Sequence, residues 1–332
     1  MPENTRRRRI RRASGGWLAA AAAAALVLVG VASEASAAGT KSLCVFDPGG
    51  ASGDLFNKMK DYQSQAVGWG VSFDLKPYTD ESVAASDFRN KKCDAVLLTG
   101  VTGQEFNRKT YSLEAMGLFT SYSGLQKAIG ALAKPKAAKF SVDGAYETVG
   151  IYPAGAVYLH LRDRSKAELS KLSGASIATI KGDPAARTMV NEVGATAKLA
   201  EVSTFASYFN NGSVDICYSP ATAYKPLELY RGVGDRGGVV RFPLAQLTFQ
   251  LFVRSEEFPA GFGDASRAWV SEQFPAMLRV IQQAEREVNQ WIDVDAGDVS
   301  RYTELLRKVR ESLVGGGTYD PTIIKLGERV AG

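Results

Sequence analysis

Beyond residue 40 the chain alternates between short apolar blocks and longer stretches whose apolar side chains recur every three or four residues, as in strands separated by helices. Leu43-Cys-Val-Phe-Asp-Pro-Gly-Gly50 reads as a buried strand ending in a glycine-rich turn. Leu55, Phe56, Met59 and Tyr62 mark one face of a helix running from Leu55 to Ala66. Val71 to Tyr78 alternates as a second strand, and Asp80 is a candidate N-cap for a helix carrying Val83, Ala84 and Phe88. Asp94 to Thr99 is a third strand, stopped by Gly100. Strand–helix–strand–helix–strand order implies right-handed crossovers and a parallel sheet.

The same order returns after Gly150. Ala156 to Leu161 is read as a strand, Lys166 to Leu172 as a short helix, and Ser176 to Ile180 as a strand ending at Lys181-Gly182-Asp183. Pro184 to Val193 follows as a helix, with proline suited to its first turn. Val214 to Tyr218 is another strand, ending at Ser219-Pro220, and Val239 to Val253 is β-prone and returns the chain to the first half. Helices close the chain: Ala265 to Trp291, kinked near Pro275, and Val299 to Leu313. The expected fold class is α/β with two doubly wound lobes, 38–155 plus 245–332 forming the first and 156–244 the second.

The first 37 residues stand apart. Arg6, Arg7, Arg8, Arg9, Arg11 and Arg12 precede an uncharged alanine-rich run and then Ala35-Ser36-Ala37, the order of a secretory signal peptide. Cleavage is expected after Ala37, giving a periplasmic product. A retained membrane anchor is the rival reading, because Ala13 to Ser33 is uncharged and just long enough to span a bilayer. Six of the 40 basic residues and two of the 35 acidic ones lie in residues 1–37, leaving 34 basic against 33 acidic groups beyond it. The basic character therefore belongs to the leader, and no nucleic-acid-binding face is implied.

Catalytic signals are thin. His160 is the single histidine, no Cys-x-x-Cys spacing occurs, and neither G-x-S-x-G nor H-E-x-x-H is present, so no metal, no cofactor and no enzyme activity is expected. Gly232-Val-Gly-Asp-Arg-Gly237 spells G-x-G-x-x-G, but it follows a helix-like segment and precedes a strand, the reverse of a dinucleotide-binding context. Gly49-Gly-Ala-Ser-Gly53 is better placed, between a strand and a helix N-terminus, where free N–H groups favour an accepting ligand.

Ligands of open α/β sheets sit beyond the carboxyl ends of the strands. The candidate contacts there are Asp47, Ser52, Thr99, Ser219 and Gln246, with Tyr158, Phe209 and Tyr224 as pocket walls and Arg187 as the cation for a carboxylate-bearing solute. The competing readings are a tight turn for the Ser52 segment, ordinary core for the aromatics and a solvated helix cation for Arg187. Cys44 and Cys93 begin neighbouring strands, so in an oxidising compartment they pair as a disulfide; the alternative is two buried thiols, as expected for Cys217.

Several segments together resemble a known solute-binding family, some of whose members bear the label of RND-type efflux pump components. They are Leu43-Cys-Val-Phe-Asp47, Asn90-Lys-Lys-Cys-Asp94 with Thr99-Gly100, Phe209-Asn-Asn-Gly-Ser-Val-Asp215, Ala223-Tyr-Lys-Pro-Leu-Glu-Leu-Tyr230 and Val240-Arg-Phe-Pro-Leu-Ala-Gln-Leu-Thr248. The similarity covers nearly all of residues 41–325. More distantly, the layout resembles the DctP-type receptors of TRAP transporters. The resemblance implies a two-lobed type II periplasmic-binding fold with crossover strands and C-terminal helices. It also implies capture of a small molecule, an organic acid among the candidates, and delivery to membrane transporter subunits, with an accessory role in drug efflux as the alternative. Those receptors clamp a ligand carboxylate with an arginine after a Gly-x-x-Ile pattern; the matching Gly174-Ala-Ser-Ile-Ala-Thr179 has none, leaving Arg187 or Lys181 as substitutes.

Overall fold

The computed structural model describes residues 39–331, so the expected leader and its cleavage point lie outside the described residues. Three parallel strands, β1 (Lys41–Phe46), β2 (Phe73–Tyr78) and β3 (Ala95–Thr99), form one half of the sheet in the order β2-β1-β3. The chain continues through β4 (Val142–Asp143), β5 (Tyr146–Leu161), β6 (Ser176–Ile180), β7 (Thr196–Ala200), β8 (Ile216–Pro220), β9 (Gly238–Val240), β10 (Ala245–Arg254) and β11 (Trp291–Ile292). β6, β7 and β8 repeat the first half as a parallel set in the order β8-β6-β7. Antiparallel β10 and β5 stand between the halves and join them into one sheet.

Both faces of the first half are covered. Leu43, Val45, Ala95 and Leu97 pack under Leu55, Phe56, Met59 and Tyr62 of helix Asp54–Ala66. Cys44, Phe46, Val96 and Leu98 pack under Ala84, Ala85 and Phe88 of helix Glu81–Arg89. A strand buried on both sides reads as an unbroken apolar run, which is why β3 shows no alternation. Asp80 caps the second of these helices as expected, accepting from Ser82 N–H at 2.9 Å and Val83 N–H at 3.3 Å.

Several expected elements change in the structure. The strand expected over 156–161 runs for 16 residues. Gly150 and Pro153, ahead of the expected start, both lie in the ladder with β10. Pro153 sits where the register skips Ala154, and a side chain at Gly150 would come within 2.9 Å of Val270. The expected strand 239–253 is two, interrupted around Pro243, whose missing N–H cannot serve a ladder. The helix expected over 166–172 is two 3-10 turns, Arg164–Lys166 and Leu169–Lys171, separated by extended Glu168. The kinked helix is two helices, Phe262–Glu272 and Phe274–Arg286, with Pro275 in the first turn of the second.

The long helix Ala296–Gly315 lies against helix Pro184–Glu192 of the second half. It also reaches back: Tyr302 Oη donates to Ala167 O at 3.1 Å, and Arg310 Nη1 donates to Met116 O at 2.6 Å. Helix Pro321–Ala331 then packs on Tyr122–Leu132. Residues 296–331 thus touch both halves.

Candidate functional site

All six parallel strands end where the other half begins. Beyond them lie turns and helix N-termini: Gly50–Ser52, Glu81–Arg89 and Gly100–Gly103 on one side, Pro184–Glu192, Val202–Asn210 and Ala221–Ala223 on the other. Gln104 Nε2 donates across the seam to Gly182 O at 2.7 Å, and Val202 packs on the apolar cluster of Cys44 and Phe46. The carboxyl ends of the two halves therefore face each other, the position in which open α/β sheets bind ligands.

The structure distributes the expected contacts unevenly. Asp47 spends both oxygens on its own turn, Oδ1 accepting Gly49 N–H at 2.7 Å and Oδ2 accepting Phe56 N–H at 2.9 Å. Gly53 approaches that carboxyl so closely that a Cβ would lie 2.1 Å away. Ser52 is exposed at the helix entrance. Thr99 ends β3 with its N–H on Glu81 Oε1 at 2.5 Å, and its Oγ1 accepts Thr102 N–H at 3.4 Å. Gln246 is buried at the junction of β10 with β5, and its Oε1 has no partner.

Other candidates are committed elsewhere. Tyr158 turns toward helix Phe274–Arg286, where its hydroxyl and that of Tyr122 both donate to Glu285 Oε1, at 2.9 and 2.6 Å. Phe209 is fully buried against Gly232, so it is core. Arg187 is exposed, and its Nη2 donates to Lys181 O at 3.0 Å rather than standing among the buried groups of the seam. Cys44 and Cys93 are joined as a disulfide with Cα atoms 5.9 Å apart, and Cys217 is a buried thiol.

Ser219 and His160 form a pair that resembles a nucleophile and its base, with Oγ to Nε2 at 3.0 Å. Ser219 Oγ also donates to Pro220 O at 3.3 Å, and Nε2 faces Ser219 O at 3.2 Å. With the proton on Nε2 the ring donates to this carbonyl and has no lone pair for the serine hydrogen, and the other tautomer leaves a buried Nδ1–H without an acceptor. Burial pushes His160 down to about 4, no acid orients Nδ1, and the ring stacks on Tyr224 at 5.8 Å. The pair is a packed structural contact.

A group of acids occupies the seam instead. Glu81 and Glu114 from the first half and Asp183 from the second are each at most 5% exposed. Burial raises all three, Glu114 to about 8, and the charges of Asp183 and Glu81 push Glu114 the same way. Asp183 caps helix Pro184–Glu192 through Ala186 N–H at 2.8 Å and accepts Tyr218 Oη–H at 3.0 Å. Asp183 falls within the strand-end segment flagged by sequence, and Glu81 directly follows a recognised cap. Glu114 sits in the 3-10 turn Ser112–Glu114, in an irregular stretch with no periodic signal, and only its burial singles it out.

The raised Glu114 has a measurable consequence. In the unfolded chain it ionises near 4.5, whereas in the fold it keeps its proton up to about pH 8. Its contribution to stability is therefore complete below 4.5 and lost as pH rises through 8. His160 works the other way: buried neutral, it adds stability above 6.5 that is lost as pH falls toward 4. Between pH 6.5 and 8 the carboxyls act alone, so unfolding free energy should fall by about 1 kcal/mol per pH unit or more. Urea unfolding across that window checks this, and Glu114→Gln should flatten the slope.

Comparison with known proteins gives consistent results. Residues 69–331 match the family model described as Solute-binding protein AdeT 1/2. The chain is 38% identical over 288 residues to the Probable solute-binding protein AdeT1 of Acinetobacter baumannii, covering 86% of this chain and 95% of that protein. With the Probable solute-binding protein AdeT2 of the same organism it shares 24% over 221 residues, 66% of this chain and 93% of that one. Among solved structures, a TRAP periplasmic solute binding protein from Desulfovibrio salexigens with bound orotic acid superposes with a TM-score of 0.72 at 13% identity. That match covers 88% of this chain and 98% of that one. A TRAP periplasmic solute binding protein from a Bradyrhizobium species, in complex with galacturonate, gives 0.70 at 14% identity, covering 88% and 99%. At such identity the likeness establishes the two-lobed fold.

Proposed function

This chain belongs to the solute-binding protein AdeT 1/2 family, and from that premise we propose an exported receptor that holds a small solute between its lobes in the periplasm. In this reading 38–155 with 245–332 makes one lobe and 156–244 the other, and the loaded form presents its solute to membrane transporter subunits. Capture involves no covalent chemistry. Among the described residues no helix is long and apolar enough to cross a membrane; in this reading the solute is moved by a separate membrane partner. Nothing in the seam favours an efflux accessory over this reading.

The observation that carries the proposal is the meeting of strand ends across the seam, bridged by Gln104 and Gly182 and lined with buried polar groups from both halves. Buried, incompletely satisfied polar groups are costly, and binding sites are where such a cost is tolerated.

Two measurements test it together. A thermal-shift screen over organic acids, amines, amino acids and sugars is expected to find a class that stabilises the fold, by about 2.7 kcal/mol at a concentration 100 times its Kd. Spin labels attached through Val83→Cys and Thr204→Cys, exposed positions on facing helices, should report an interlobe distance that shortens or narrows with the same solute. A flat screen with one solute-independent distance rejects the proposal.

A further inference from the structure

The polar groups at the seam are unequally satisfied, and the imbalance has one chemical sense. Among the described residues, no Lys, Arg or His nitrogen lies within 4.0 Å of the carboxyl of Glu81, Glu114 or Asp183. Glu114 Oε1 accepts three donors, Gly100 N–H at 3.2 Å, Thr248 N–H at 2.7 Å and Thr248 Oγ1–H at 2.6 Å, while Oε2 accepts none. Gln250 donates from Nε2 to Thr110 O at 3.1 Å and to Thr248 Oγ1 at 3.0 Å, and its Oε1 has no donor. Gln246, two residues before Thr248 on the same face of β10, also has an unpaired Oε1. Glu81 Oε2 has only the hydroxyls of Thr99 and Thr102 nearby.

These side chains are at most 5% exposed, and the atoms among them that are both fully buried and unpaired are all oxygens. The Glu114 carboxyl and the Gln250 amide converge over Gly100, where a Cβ would lie 2.3 Å from Glu114 Oε1 and 2.8 Å from Gln250 Nε2. Tyr111 and Tyr319, with ring centroids 5.5 Å apart, border the same acids. A buried oxygen without a donor is stabilised by an N–H, most strongly by a charged one. Aromatic faces beside it favour a cation as well.

We propose that the seam takes a solute bearing a protonated amine, whose N–H groups dock on Glu114 Oε2 and on the Oε1 atoms of Gln246 and Gln250. This rests on the solute-capture reading above and specifies its ligand. A carboxylate solute would add a negative charge beside three acids and bring acceptors to the Oε1 atoms of Gln246 and Gln250, which can only accept. Of the two cations that would reverse that argument, Arg187 lowers Asp183 by its charge but is exposed and bonded to Lys181 O, and exposed Lys181 pairs with Glu201 at 2.6 Å.

The groups facing Glu114 are Glu81, Asp183, Tyr111 and Tyr319, none of them cationic. Arg310, nearby on the long C-terminal helix, donates to Met116 O. Without solute the Glu114 carboxyl holds its proton, since burial raises it to about 8. An ammonium arriving at Oε2 takes the place of that proton, which passes to solvent. Amine binding at pH 7 should therefore release a proton, and affinity should rise with pH up to about 8.

Titration calorimetry at pH 7 with putrescine and spermidine, against succinate and galacturonate, tests this on the full mature chain. Binding of an amine with proton release, read from two buffers of different ionisation enthalpy, is the expected result. Glu114→Gln should weaken that binding by about tenfold or more while preserving the Oε1 contacts. Gln246→Leu, which leaves Glu114 in place, should weaken it less. If Glu114→Gln does not fold, the proton release of the unaltered protein and the Gln246→Leu titration decide alone. Amine binding without proton release, or with unchanged affinity in the variants, overturns the proposal. Binding of succinate or galacturonate and not of the amines also overturns it while leaving solute capture intact. Silence from all four, in a protein that also shows one fixed interlobe distance, removes both.

Discussion

Replacing Cys44 and Cys93 together with alanine is expected to lower the unfolding free energy by about 4 kcal/mol. The two lie 49 residues apart in sequence, and the bridge ties the middle of β1 to the residue before Asp94, at the entry to β3. In the fold these strands are already neighbours, with Leu43 opposite Ala95 and Cys44 opposite Val96, so the cross-link adds few new contacts. Its effect falls on the unfolded chain, which loses the freedom to open a loop of that length. The melting temperature should drop by roughly 6 °C in a chain of this size. Both sulfurs are fully buried, so reduction in the native state should be slow, and mass after alkylation should change only once the chain is unfolded. A drop below about 1 kcal/mol would show that the bridge does not constrain the unfolded chain as described.

The second large effect is expected at Arg267, only 5% exposed on the helix Phe262–Glu272 that lies along β5. Its guanidinium bonds Glu147, the Thr148 carbonyl at 3.3 Å and Asp264 Oδ1 at 2.5 Å. Arg267→Met keeps much of the apolar stem but leaves the nearly buried Glu147 carboxylate without its cation. Breaking such a pair from one side costs about 3–5 kcal/mol, mostly the desolvation of the stranded charge. Adding Glu147→Gln removes that charge, and the double variant should recover a good part of the loss in denaturant unfolding. If the double variant is no more stable than Arg267→Met alone, the pair is not the source of the effect.

Patterning made much of the fold legible where local and tertiary preferences agree. β6 spans Ser176–Ile180 as read, because a short block carrying Ile177, Ala178 and Ile180 lies between glycine-containing turns. Helix Glu81–Arg89 starts where its Asp80 cap placed it. Reading failed where packing overrules a local signal. The second series reads as opening after Gly150 with a strand at 156–161, yet β5 starts at Tyr146: Gly150 admits Val270 and Pro153 sits beside a skipped register position, so the strand runs through both. Tyr122–Leu132 and Pro321–Ala331, which pair with each other, escaped notice; the first contains Gly124 and Gly130, and each gains its stability mainly from the other.

The site was less visible than the fold. Strand ends drew attention to Thr99, and the strand end Lys181-Gly182-Asp183 contained Asp183. The aromatic candidates look alike in sequence, but Phe209 is core and the Tyr158 hydroxyl turns away to Glu285. Glu114 shows why: what distinguishes it is the distance between its carboxyl and any cation, a long-range property. Gly100 and Thr248, which hold it, lie 14 and 134 residues away.

β5 runs unbroken from one half of the sheet to the other, and where β10 pairs with it the register slips past Ala154 between Leu247 and Thr248, beside Gly155 with its φ of +122°. A molecule built this way works like sugar tongs. In the capture proposed above, the irregularity at 154–155 would be the pivot and the contact of Gln104 with Gly182 the tips, so that a small rotation at the first would open a large gap at the second. Grip and release are then governed from different places: the residues that touch the cargo decide how tightly it is held, while backbone stiffness at the pivot, which touches no cargo, decides how soon it is let go.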